Sequence, residues 1–275
     1  MIIEKKLLNP KLDYVFKRIF GYKGNESITK AFISAILKQN ITDIILDCNP
    51  ILEKDLLDDK VGILDIKVKI DNFINCDIEM QVVDKKNIEK RILFYCSKMY
   101  VQSIKSGKDY LDLEKSISIL ITDYELPSLK KIEKYVSKWN LREEDYGNIV
   151  LTDAIEIYII ELPKFEKYQN DTALSQWVKF INNPRVIDMS NKEIKKAKDV
   201  LEEISQDEHE RYLAELREKY IMDQKAVEAA GYDKGFENGA KQKSIEIAKI
   251  LKSQNIDIET IREATGLSLE EIKQI

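Results

Sequence analysis

Asp65, Lys67 and Lys69 alternate with apolar residues along LDIKVKI, residues 64 to 70, and Asp77, Glu79 and Gln81 alternate with them along CDIEMQV, residues 76 to 82. Two period-two runs with a short break between them predict a β-hairpin with one buried face. With the turn centred near Asn72, cross-strand partners share one number sum, so Asp65 lies opposite Glu79 and Lys67 opposite Asp77. The second pair neutralises itself. The first pair repels, and on a plain solvated face it is mildly destabilising. A divalent cation between the two carboxylates reverses that sign, and oxygen ligands without imidazole or thiolate favour a hard ion, Mg²⁺ or Mn²⁺. A solvated sheet face is the other account of the same alternation.

Other chemistries lack their residues. The single histidine, His209, stands in a charged helical stretch without a partner in the sequence. Histidine-rich zinc sites and local Ser/His/Asp arrangements are therefore poorly supported. There is no GxxxxGK[ST] phosphate loop and no GxGxxG following a strand. Metal-assisted chemistry on carboxylates is what remains.

The elements that must hold the hairpin can be read around it. LDYVFKRIF, residues 12 to 20, carries Leu12, Val15, Phe16 and Ile19 at helical spacing, and Gly21 follows as a stop. A second helix is expected over Ser27 to Leu37, and ITDIILDC reads as a short strand before a charged loop through Lys60. After the hairpin, residues 87 to 106 place Ile88, Ile92, Leu93, Tyr95, Cys96, Met99 and Tyr100 at a period of about 3.6, the strongest amphipathic pattern in the N-terminal half. The polar positions around it, Lys86, Lys90, Arg91, Lys98, Lys105 and Lys108, form a basic segment, which suits either a solvated face or a phosphate-contacting one. SISILIT, residues 116 to 122, fits a central strand, and IEIYIIELP, residues 155 to 163, a strand near a sheet edge.

From Thr172 onward the pattern is helical, and a domain boundary is expected at Ser205–Gln206, dividing residues 1–205 from a helical region 206–275. Gly231, Gly235 and Gly239 follow at intervals of four, which fits close approach of a second helix in a homodimer, or a turned linker. The last stretch reads as short helices, with Gly266 at a C-terminal stop and Ser268 and Glu271 forming a capping box. Its outline is helix-turn-helix-like, yet Glu270 and Glu271 at the last helix's N-terminus would repel phosphate, so a packing or oligomerisation module fits better.

With 44% hydrophobic and 34% charged residues the chain can build a sizeable core, and a net charge of −5 provides no global basic field. Cys48, Cys76 and Cys96 are odd in number and widely spaced, as reduced thiols would be. No signal-peptide pattern and no membrane-length apolar run is present, so a cytoplasmic location is expected.

Asp65, the turn and Glu79-Met80-Gln81 together resemble the active-site signature of the PD-(D/E)xK nuclease superfamily, and IEMQ is similar to the last motif of its recombination-promoting nuclease and transposase branch. NPKLDYVFKRIFG (9 to 21), DKVGILDIKV (59 to 68), IIELPKF (159 to 165), the glycine run and IREATGLSLEEI look like the same branch, so the resemblance spans nearly the whole chain. It implies an α/β (α+β) fold with a restriction-endonuclease-like αβββαβ core and a helical C-terminal extension. It implies a Mg²⁺- or Mn²⁺-dependent DNA endonuclease linked to recombination or mobile elements, with Asp65, Glu79 and the main-chain carbonyl of Met80 as metal ligands. Gln81 stands where the superfamily has lysine, and an amide can orient water but brings no positive charge. Lys67, Lys90 and Arg91 are the expected substrate contacts, and Asp13 is the acid that the first helix would add. The alternative is a catalytically degenerate relative that binds nucleic acid or protein without cutting.

Overall fold

The computed structural model describes residues 6–47, 65–84, 86–105, 107–168, 170–186 and 190–275. Cys48 and the charged loop through Lys60 lie outside them. In chain order the elements are α1 (Asp13–Phe20), α2 (Glu26–Leu37), β1 (Ile44–Asp47), β2 (Ile66–Ile70), β3 (Ile74–Gln81), α3 (Ile88–Gln102), β4 (Lys115–Thr122), β5 (Val136–Arg142) and β6 (Val150–Glu161). Five helices follow: α4 (Ala173–Asn182), α5 (Lys192–Gln206), α6 (Glu208–Ser253), α7 (Ile258–Thr265) and α8 (Leu269–Gln274).

The strands form one mixed sheet in the order β1-β2-β3-β4-β6-β5. β1, β2 and β3 run antiparallel, and β3, β4 and β6 are parallel neighbours, with α3 as the crossover from β3 to β4. This is the αβββαβ core, extended by β5 and β6. β4 is central, as its apolar run predicts. β6 lies near the edge, as its proline-ended run predicts, and β5 forms the edge itself, pairing with it antiparallel. VSKWNLR lacks a clean alternation, which is why β5 left no signal in the sequence.

One sheet face carries Ile66, Val68 and Ile70, then Cys76, Ile78 and Met80, then Ile117, Ile119 and Ile121, all buried in the main core with α1, α2 and α4. Phe16, Phe20, Phe32 and Trp177 close that core with ring centroids 4.5 to 6.1 Å apart along the cluster. Each such side chain contributes about 1.5–3 kcal/mol when fully buried. On the other face, Ile88, Ile92 and Cys96 of α3 pack against Leu120, Ile157 and Ile159. The buried stripe of α3 is narrower than its sequence suggests, since Leu93 and Phe94 are exposed. α1 is the more deeply seated helix, buried at every position but Arg18.

Gly21 ends α1 because its backbone meets β2. A Cβ there would stand 2.9 Å from Ile66 Cγ1 and 3.1 Å from the Lys17 carbonyl oxygen.

The chain divides into two compact units after Ile221, beyond the expected Ser205–Gln206 boundary. The reason is that Leu213, Ala214 and Ile221 of α6 belong to the main core. Gly231, Gly235 and Gly239 lie within continuous α6 rather than in a turned linker, and a Cβ added at any of them would meet nothing within 4 Å. The smaller unit has its own core of Ala248, Ile261, Leu267 and Ile272. Asp257 caps α7, Gly266 ends it at φ 70°, and the Ser268–Glu271 capping box starts α8. Among the described residues, no helix is long and apolar enough to cross a membrane.

Candidate active site

The hairpin turns at Asp71 and Asn72, whose φ values of 47° and 67° are the left-handed pair that a tight turn between twisted strands requires. The Phe73 amide donates to the Ile70 carbonyl at 3.1 Å, and Asp71 Oδ1 accepts the Thr42 and Asp43 amides at 3.0 and 2.8 Å, which pins the turn beside β1. The register that results pairs Ile66 with Ile78 and Lys67 with Asp77. Continuing it by one residue sets Asp65 opposite Glu79. The apolar partners of both strands enter the main core, so Asp65, Lys67, Asp77, Glu79 and Gln81 share the face toward α3.

That strip is tied together through Glu79. Its Oε1 accepts from Arg91 Nη2 of α3 and from the Gln81 side-chain amide, and the carboxylate is buried. Asp77 behaves differently from expectation. Although Lys67 is its cross-strand partner, no ion pair forms between them, and Asp77 Oδ1 is buried without a hydrogen-bond partner. The Lys67 side chain instead extends toward solvent, as a long ammonium stem prefers. Arg91 Nε is likewise buried and unpartnered.

Burial pushes the Asp65 carboxyl above its ordinary range; Arg91, Lys17 and Lys67 pull it back, and Asp13 adds to the rise. Asp77 is raised well above that range, first by burial and then by Asp65 and Glu79, with Lys67 and Arg91 opposing. Asp77 therefore flanks the Asp65–Glu79 pair, one position along the same face and within electrostatic reach of both.

A cavity of about 700 Å³ opens beside the strip, lined among others by Asp65, Lys67, Asp77, Tyr95, Lys98 and Met99. Lys98 thus stands at the candidate site, whereas Lys90 is exposed and forms no part of that lining. The Met80 side chain is in the main core, which leaves only its main chain for a ligand role.

Asp13, within electrostatic reach of Asp65, is anchored by α6. Arg217 of α6 grips it with Nε 3.0 Å from both carboxylate oxygens and Nη2 at 2.6 Å from Oδ2, and the Tyr14 amide donates to it at 2.8 Å. Two turns earlier in α6, Glu210 accepts from Tyr14 Oη and from Arg18 Nε and Nη2, each at 2.7 Å. These contacts fix α1, which presents the buried Lys17 toward Asp65. Sequence reading missed Lys17 and Arg217. The signal for Lys17 was a lysine on the apolar helix LDYVFKRIF; for Arg217 it was only its seven-residue spacing from Glu210, which puts both on one helix face.

Among the described residues, no three Asp, Glu, His or Cys side chains are gathered closely enough to hold a metal ion as they stand. The donor set nevertheless suits a hard divalent cation. It consists of oxygens alone, includes two carboxylates in cross-strand opposition, and has a buried carboxylate oxygen with no donor. What stands in the way is the guanidinium and amide already on Glu79.

A family model described as PD-(D/E)XK nuclease family transposase matches residues 10–231. No curated protein and no solved structure matches the chain. The matched span contains the whole sheet, the candidate strip on β2 and β3, and the α6 residues that hold α1. The chain belongs to the PD-(D/E)XK nuclease family of transposases.

Proposed function

We propose that the protein is a metal-dependent DNA endonuclease, acting in recombination or in the movement of genetic elements. The observation that carries this reading is a pair of opposite vacancies in one polar strip: Asp77 Oδ1 lacks a donor and Arg91 Nε lacks an acceptor. A metal-bound phosphodiester brings a cation for the first and an anionic oxygen for the second. Mg²⁺ or Mn²⁺ would be held by Asp65, Glu79 and the Met80 carbonyl, with Asp77 beside them. When bound it would polarise the scissile phosphate and lower the pKa of an attacking water. Gln81 would orient that water through its amide. Lys67 and Lys98 would hold the sugar-phosphate chain along the cavity, Arg91 would meet it from the Glu79 end of the strip, and Lys90 would add field from outside. Self-association falls to the C-terminal helices in this reading, so the full chain should have a dimer's mass by light scattering and a chain ending at Ile221 a monomer's.

The deciding experiment incubates plasmid and Mg²⁺ with the wild type and with Asp65→Ala and Glu79→Ala. Both variants should cut at least about 100-fold more slowly. Equal cutting by all three would trace the activity to a contaminant. A second reading, a binding protein that does not cut, is favoured by the fact that Gln81 and Arg91 are both committed to Glu79. Failure to bind Mn²⁺ by calorimetry, with DNA still bound, would select it.

A further inference from the structure

We infer that Arg91 is an exchangeable internal cation, which neutralises Glu79 while no divalent ion is present and transfers to the scissile phosphate when such an ion takes Glu79. The inference rests on the nuclease reading above and names how that site is regulated.

Three features point to exchange rather than to a permanent structural pair. Arg91 reaches Glu79 through Nη2, and its Nε is left buried and unanswered. A guanidinium that served only to fix the fold would present its fork to two acceptors, as Arg217 does on Asp13. Next, Glu79 Oε1 is claimed twice, by Arg91 and by the Gln81 amide, at a position where a cation would need a free oxygen. Lastly, Gln81 brings no charge, and a positive group that meets Glu79 on this strip is supplied from α3, by the Arg91 guanidinium. Lys90, its neighbour in sequence, is exposed and cannot replace it there.

Charge balance then gives the direction of coupling. Asp65, Asp77 and Glu79 are countered by Arg91, Lys67 and Lys17. A divalent ion alone would leave the displaced guanidinium without an anion in a half-buried site. A phosphodiester supplies that anion, so metal and DNA should each tighten the binding of the other, by reciprocity of coupling.

Calorimetric Mn²⁺ titration of the full chain tests this with Arg91→Gln and Arg91→Lys. Removing the competitor should make Arg91→Gln bind Mn²⁺ about tenfold more tightly than the wild type. The same variant should cut plasmid at saturating Mn²⁺ about 100-fold more slowly, with Arg91→Lys recovering part of the rate. Circular dichroism checks folding; should Arg91→Gln be unfolded, Arg91→Met, which also removes the charge, decides, and an affinity no tighter than wild type overturns the exchange. Equal or weaker Mn²⁺ binding by folded Arg91→Gln, with binding abolished in Asp65→Ala, overturns the exchange and leaves the nuclease reading standing. No Mn²⁺ binding by any form overturns both.

Discussion

At the end of β6, Lys164 donates to the Leu129 and Ile132 carbonyls at 2.8 and 2.9 Å and to Glu161 Oε2 at 2.6 Å, while Glu161 Oε1 accepts the Leu126 amide at 2.8 Å. On β3 and α3, by contrast, Asp77 Oδ1 and Arg91 Nε have no partner at all. Both groups of charges are largely withdrawn from water, and they differ in completeness. A buried ion pair with every polar atom answered can serve the fold alone, because nothing further can bind it without breaking it. A buried cluster with one donor and one acceptor missing is stable only at a cost, and that cost is recovered when a ligand completes it. The IIELPKF stretch, one of those carrying the family resemblance, thus forms a clamp that holds residues 126–132 against the end of β6, where Glu161 stands two strands along from Gln81 in one cross-sheet row.

The sharpest way to break this contrast is Lys164→Met. It strands Glu161 in the interior and should lower unfolding free energy by about 3–5 kcal/mol, read by urea denaturation. A loss below about 1 kcal/mol would mean that the clamp is no more essential than a surface pair. Gly21→Ala comes next. The new methyl would press on Ile66 beside Asp65, so a loss of about 1–3 kcal/mol is expected, together with slower plasmid cutting. The smallest effect has the opposite sign. Asp77→Asn, measured in EDTA, removes one of three clustered negative charges and should stabilise by about 1 kcal/mol. That corresponds to a melting temperature higher by about 2–4 °C. Added Mg²⁺ should narrow the gap, because only the wild type regains what the third carboxylate offers. If Asp77→Asn destabilises as Lys164→Met does, both clusters are structural and the distinction fails.

The sheet core was legible because its strands obey local rules. Alternation exposed β2 and β3, counting from Asn72 produced the observed Lys67–Asp77 pairing, and SISILIT marked the central strand. β5 was hidden because VSKWNLR is half-exposed at the edge and has no consistent inward face. The candidate site was legible as a pair, Asp65 and Glu79, but not as a cluster. Register predicts which residues face each other; it does not predict whether a lysine as long as Lys67 turns toward its partner or toward water. Asp13 was legible as a possible third acid from its position in α1, but its anchor was not, Arg217 being 204 residues away.

That same separation has a consequence for biosynthesis. Asp13 emerges early from the ribosome, and the guanidinium that answers it is added only after 204 further residues. At about 5–20 residues per second, the helix stays without its electrostatic anchor for about 10–40 s. The Leu8 amide waits almost as long for Ser205 Oγ, its acceptor 197 residues on. Closing such a chain is entropically slow, and a nascent nuclease domain cannot settle α1, nor bring Lys17 to its final place beside Asp65, until translation has passed the start of α6.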